Sequence, residues 1–284
     1  MKLRSLLAAV SLVFLFALSA ESQTPVEKWA AFDGSKVHYY DIGDKKSKKA
    51  IVLIHGWTCN ADFWKVSFNG FPGRRVIAID LIGHGKSDKP KANYSMEYFA
   101  RSVEAVLKNA KIEKAVLVGH SMGTPVIRQF YRLYPGQTLG LVAVDGSFRP
   151  FGPKPQIEKF FEPLFADYTA QAPKFIDGLL GPTRADLKAG IKTAMLTTPD
   201  HVATSAMRGM MDEAIYAPDQ IKVPVLVIAS KSTNWPPDSE AFARSIAPDL
   251  EFQMWEGVSH FLMMEKPKEF NAAVNSFIEK KHLL

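Results

Sequence analysis

Val116-Leu117-Val118-Gly119-His120-Ser121-Met122-Gly123 passes from an apolar, β-branched run into a serine flanked by two glycines, and continues as Thr124-Pro125-Val126-Ile127-Arg128-Gln129-Phe130. Strand, tight turn, helix is the order in which a nucleophile elbow is written. Serine is a weak nucleophile, so its oxygen must stand on an exposed turn within reach of a base. Glycines at 119 and 123 let backbones pass where a β-carbon would collide. Pro125 suits the first helical turn. The N-terminus of that helix aims backbone N–H groups at any anion forming beside the serine. Ser121 is therefore the candidate nucleophile.

Outward from this stretch, apolar strands alternate with helical runs. Val26–Phe32 and Lys36–Asp41 flank Asp33-Gly34, a hairpin signal. Ala50–Ile54, Arg75–Ile79, Ala115–Val118, Leu139–Val144, Val223–Ala229 and Glu251–Trp255 read as further strands, and their Val and Ile content predicts a sheet buried on both faces. Ser95–Asn109 places Met96, Phe99, Val103, Val106 and Leu107 on one helical face, with Ser95 as its cap. The alternation breaks between Phe148 and Ala217, a proline-bearing segment with helical stretches and no good strand. It reads as a helical cap, residues 148–217, inserted into an α/β core of residues 23–147 and 218–284.

The 284 residues, 47% hydrophobic and 23% charged, describe a globular chain with ample core. Lys2 and Arg4 precede the apolar run Leu6–Leu18, and small residues follow, which is the form of a secretory signal peptide over residues 1–22. The expectation is a secreted or periplasmic protein with no stable membrane association after leader removal. Intact-mass measurement of the exported protein checks this, and a retained Met1–Ala20 segment would indicate an anchor. Without Lys2 and Arg4 the net charge falls from +6 to +4. Part of the remainder is a cluster at Lys45, Lys46, Lys48 and Lys49 without interleaved aromatic residues, so no nucleic-acid partner is expected. The single cysteine, Cys59, excludes an internal disulfide and reads as a packing thiol.

A serine nucleophile needs a base. His260 follows the Glu251–Trp255 strand, and in parallel sheets functional groups gather at strand carboxyl ends. His38, His201 and His282 lie in a hairpin strand, the cap and the terminal tail. His55 and His84 sit in turns suited to structural bonds, and His120 points away if Ser121 occupies the elbow tip. The backbone N–H of Met122 supplies one oxyanion donor. The loop after Ile51–Ile54 offers the second, because Gly56 lets the chain turn the Trp57 amide inward.

These motifs resemble the α/β-hydrolase superfamily from about Val26 onward. His55-Gly56-Trp57 is similar to its oxyanion loop, Asp80-Leu81-Ile82-Gly83-His84-Gly85-Lys86-Ser87-Asp88 to a turn of its capped members, and His260 through Pro267 to its histidine loop. The resemblance implies an eight-stranded, mostly parallel sheet with helices on both faces and a helical cap. Fold alone names no substrate. The family most often carries its acid just beyond the penultimate strand, where Thr233 and Asn234 stand here. Two aspartates remain. Asp145 follows four apolar residues, where burial without a partner is costly and an imidazole N–H is a natural partner. Asp238 comes late and is placed to open the next helix as a cap. Asp145 is the preferred acid, Asp238 the alternative, and a site without a carboxylate the third possibility.

The parts predict an exported serine hydrolase that cleaves a carboxylic ester through an acyl-enzyme, with no cofactor and no metal. The alternatives are a carbon–carbon bond hydrolase, a cofactor-free perhydrolase, or a weakly catalytic ligand-binding member. Epoxide hydrolases and haloalkane dehalogenases of the resembled family carry aspartate where Ser121 stands. Phe148, Phe151, Phe160, Phe161, Phe165 and Phe175 of the cap, with Met195, Met207, Met210 and Met211, and with Met263 and Met264 after His260, predict a small-molecule apolar ester as the partner.

Overall fold

The computed structural model describes residues 23–150, 152–233 and 235–284. The leader, Phe151 and Asn234 lie outside the described residues. Eight strands form one sheet: β1 (Val26–Phe32), β2 (Ser35–Ile42), β3 (Lys49–Ile54), β4 (Val76–Ile79), β5 (Lys114–His120), β6 (Thr138–Val144), β7 (Val225–Ser230) and β8 (Leu250–Trp255). Their order is β1-β2-β4-β3-β5-β6-β7-β8, with β2 antiparallel to β1 and β4 and the remaining pairs parallel. This is the α/β-hydrolase architecture that the sequence predicts.

Asp33 and Gly34 both take positive φ, 48° and 73°, which gives the hairpin turn the twist of its strands. Every residue of β4 and β7 is buried, as a sheet covered on both faces requires. β7 starts at Val225, two residues later than the apolar run begins. Pro224 has no N–H for the ladder, although its carbonyl accepts from the Leu141 N–H at 3.0 Å. β5 runs on through Gly119 and His120, so the strand ends directly at Ser121.

The sheet is flanked by α1 (Met96–Ala110) and α2 (Gly123–Leu133), and in the C-terminal half by α7 (Ser239–Ile246), α8 (Leu262–Glu265) and α9 (Pro267–Lys280). Ser95 caps α1, its hydroxyl accepting from the Tyr98 N–H at 3.1 Å. Between β6 and β7 lie the four cap helices: α3 (Lys154–Ala166), α4 (Tyr168–Leu180), α5 (Ala185–Met195) and α6 (Asp200–Met210). The cap is tied to the core by polar bonds. The Trp57 indole N–H donates to Ala203 O (2.8 Å), the Thr198 hydroxyl to Thr58 O (3.1 Å) and the Arg184 N–H to Glu265 (2.7 Å). Arg128 of α2 is buried and donates to Ala217 O and Asp219 O (2.9 and 2.8 Å), where the chain returns from the cap.

The antiparallel edge carries a buried ion pair. Asp41 of β2 accepts from Arg75 Nε and Nη2, each at 2.9 Å, and from Lys28 Nζ at 2.8 Å. Burial pushes the Asp41 carboxyl up, but Arg75, Lys28 and Lys45 outweigh it and hold the group at about 2. Asp41→Asn leaves Arg75 buried without its anion and is expected to cost about 3–5 kcal/mol at neutral pH. The folded value lies below the unfolded value of ~3.9, so this contribution is present above pH ~4 and fades as pH falls toward 2. Urea denaturation of wild type and variant should show their gap narrowing by about 2–3 kcal/mol across that window. A gap that persists unchanged at the acid end would contradict the linkage.

Candidate active site

Ser121 stands between the end of β5 and the start of α2 with φ at +53°, a conformation rare for residues with side chains. The strain is held in place by its surroundings. The Ser121 N–H donates to Val144 O and its carbonyl accepts from the Thr124 N–H, both at 2.9 Å. A β-carbon at Gly119 would lie 2.3 Å from Gly123 O, and one at Gly123 would lie 2.6 Å from Ile54 O. Strand, helix and neighbouring strand meet here more closely than any side chain permits.

Asp145 ends β6, one strand over, and also has positive φ, +43°. Its N–H bonds Ile228 O at 2.8 Å, and its side chain is fully buried. Three donors converge on the carboxylate. The Ser230 N–H reaches Oδ1 at 2.6 Å, while the Thr233 hydroxyl and His260 Nδ1 both reach Oδ2 at 2.6 Å. A buried charge is tolerable only with such partners. His260, 16% exposed, thus places its Nδ1–H on Asp145, which leaves Nε2 as the basic nitrogen.

The histidine loop is anchored at several points. The Ser259 N–H donates to Glu265 at 2.6 Å, and the Ser230 hydroxyl donates to Val258 O at 2.6 Å. His120 turns away from the elbow tip and lies beside His260, ring centroids 4.7 Å apart, with Nε2 bonded to the His260 carbonyl at 2.8 Å. Burial, reinforced by the neighbouring His260, holds His120 well below the usual histidine range, so it is neutral. It acts as a fixed donor under the loop.

Gly56 abuts the elbow: a β-carbon there would sit 3.0 Å from Ser121 Cβ. Trp57 follows it directly, and Thr58 takes φ +55° to complete the turn. The Cys59 N–H closes the loop on Gly56 O at 3.2 Å. His55 supports the loop from below, donating from Nδ1 to Gly56 O at 2.8 Å and accepting the Leu81 N–H on Nε2 at 3.1 Å. Met122, buried, occupies the position just before α2, so its amide belongs to the free N–H groups of a helix start.

A model of the alpha/beta hydrolase fold family matches residues 49–187. A non-heme chloroperoxidase of Streptomyces lividans is 28% identical over 272 residues, covering 87% of this chain and 97% of the relative. Among solved structures, an esterase from Exiguobacterium antarcticum superposes with a TM-score of 0.78 at 20% identity, over 89% of this chain and 100% of that one. An N-acyl homoserine lactone degrading enzyme gives 0.74 at 25% identity, over 88% and 100%. The chain belongs to the α/β-hydrolase superfamily.

In this hydrolase Asp238 stands apart from the histidine. It is exposed, pairs with Arg149 at 2.5 Å, and that guanidinium lies 5.5 Å from the Phe242 ring. Asp238 precedes α7 as expected, but its backbone lacks the extended conformation of a capping residue, and its side chain makes no capping bond and pairs with Arg149 instead. Three further histidines are in structural contacts, His38 with Asp80 (2.8 Å), His84 with Ile82 O (3.3 Å) and His201 with Lys89 O (3.3 Å), while His282 is exposed near the chain end. Cys59 is buried, which pushes its thiol above the usual range and away from reactivity.

The apolar residues expected around the site divide in two. Phe175 meets the Trp57 indole edge-on at 5.4 Å, and Phe161 meets Phe175 at 5.4 Å, which puts an aromatic group on the oxyanion-loop side of the cap. Phe160 packs edge-on against Phe161 at 5.0 Å but is itself 65% exposed, at the solvent edge of that group. Met195, Met207 and Met263 are buried in packing. Nothing in the sequence singles out Ser230, Glu265 or the His120 clamp, and Thr233 stands out only by occupying the usual acid position.

Proposed function

We propose that this hydrolase cleaves carboxylic esters through a Ser121–His260–Asp145 triad. The observation that carries the reading is the 2.6 Å bond from His260 Nδ1 to a buried Asp145, one strand from a serine held on a strained elbow. With Nδ1–H committed to Asp145, His260 Nε2 takes the Ser121 proton as the serine oxygen adds to the ester carbonyl carbon. The negative charge that develops on the carbonyl oxygen is met by the Met122 and Trp57 amides. His260 returns the proton to the departing alcohol. It then takes a proton from a water whose oxygen adds to the acyl carbon, and passes that proton to Ser121 Oγ as the acyl–serine bond breaks and the acid leaves. Asp145 holds the imidazole in this tautomer and stabilises the imidazolium.

The Trp57–Phe175–Phe161 group favours an apolar acyl or aryl moiety. Each methylene buried there should improve binding by up to about 0.8 kcal/mol until the space is filled. A chain-length series of p-nitrophenyl esters is therefore expected to show kcat/KM rising from acetate before it falls. A profile that is flat, or declines from acetate onward, would remove the apolar acyl pocket while leaving ester chemistry intact. A second reading is supported by relatives named chloroperoxidases: peroxide replacing water in the deacylation step, giving a peracid. Product analysis with and without peroxide, over esters, lactones and diketones, separates these chemistries.

A further inference from the structure

We propose that Thr233 is a positioning residue for the hydrolysis, its hydroxyl holding the Asp145 oxygen that receives the His260 proton donor. The proposal rests on the triad reading above. The Thr233 hydroxyl donates to Asp145 Oδ2 at 2.6 Å, and this is the same oxygen on which His260 Nδ1 lies at 2.6 Å. The opposite oxygen is fixed by the Ser230 N–H. Backbone and hydroxyl together leave the carboxylate no rotational freedom, and the direction of its free lone pair sets the plane of the imidazole.

Thr233 is itself held in place. Its N–H bonds Ser230 O at 3.2 Å, and its carbonyl accepts from the Trp235 N–H at 2.8 Å. The turn thus presents the hydroxyl from the end of β7 across to the end of β6. A second consequence is electrostatic. A hydroxyl donating to Oδ2 takes up part of its negative charge, so the carboxylate supports the His260 imidazolium less strongly than a bare one. Removing the donor frees the oxygen to rotate and at the same time leaves more negative charge on it to face His260.

The other titratable groups near His260 are accounted for. His120, 4.7 Å away, is neutral through burial. Glu265 is taken by the Ser259 and Arg184 N–H groups, and Arg149 and Asp238 neutralise each other further along the two loops. Asp145 is the charge whose change His260 will register.

The test compares Thr233→Val, Thr233→Ser and wild type in the hydrolysis of a small activated ester. Thr233→Val should lower kcat roughly 10- to 100-fold with KM nearly unchanged, the loss expected for one hydrogen bond to a charged group. The acid limb of its kcat/KM profile should move up by about half a pH unit. Thr233→Ser keeps the hydroxyl and should restore both. The far-downfield proton resonance of the His260 Nδ1–H, read by NMR on each purified variant, should shift in the valine protein and return in the serine protein. A valine variant with lowered melting temperature but wild-type kcat, acid limb and Nδ1–H resonance would mean that Thr233 only braces the loop. Should the valine protein fail to fold, Thr233→Ala takes its place in the same comparison. Loss of activity in Thr233→Ser equal to that in Thr233→Val would also overturn the proposal.

Discussion

Ser121→Ala and His260→Ala are each expected to lower turnover of a small activated ester by on the order of 10⁴-fold or more. Alanine removes the hydroxyl at the tip of the elbow in the first case. In the second it removes the nitrogen that would take the serine proton. Both variants should remain folded. Ser121 is partly exposed, its backbone is fixed by the Val144 and Thr124 bonds, and the His260 carbonyl keeps its bond from His120. The double variant should be little worse than either single one, because a nucleophile without its base and a base without its nucleophile are equally idle. A fluorophosphonate probe should label wild type stoichiometrically and leave Ser121→Ala unlabelled. Turnover near wild type in either purified single variant would refute the triad. If Ser121→Ala is dead while the double variant falls a further thousandfold, His260 acts on something other than Ser121.

The elbow was legible because its signal is local. Fifteen consecutive residues, Val116–Phe130, specify strand, turn and helix, and the glycines mark where β5, α2 and the end of β3 nearly touch. The strands were legible because residues buried on both faces leave few polar interruptions. Asp145 could be nominated from burial cost alone, since a carboxylate ending an apolar strand must find a partner. What could not be read is what depends on contacts far apart in the chain. Thr233 meets Asp145 across 88 residues, and His120 meets the His260 carbonyl across 140. No spacing rule encodes either contact. The capping bond expected of Asp238 is absent for a related reason: propensity places it before a helix, but its side chain meets Arg149, remote in sequence. Phe160 shows the limit of composition, since an aromatic residue in a cap segment faces solvent as readily as substrate.

The two aspartates should separate sharply on amidation. Asp145→Asn is expected to lower kcat by roughly 10⁴-fold, the scale of loss when a triad histidine is held in the wrong tautomer. The hydrogen bonds of the site say why. Three donors converge on Asp145, and an asparagine offers one oxygen where the carboxylate offers two. The Ser230 N–H is backbone and cannot rotate, so the amide oxygen must face it and the amide N–H₂ must face His260 and Thr233. The Thr233 hydroxyl can turn and accept. His260 can only comply by presenting Nδ1 as an acceptor, which moves its proton to Nε2 and leaves no base for Ser121. Asp238→Asn breaks an exposed ion pair with Arg149 and should keep kcat within about twofold of wild type. Steady-state kinetics on the two purified variants decide between the candidates. An inactive Asp238→Asn beside an active Asp145→Asn would move the acid to the later loop and sever the link between the buried carboxylate and the chemistry.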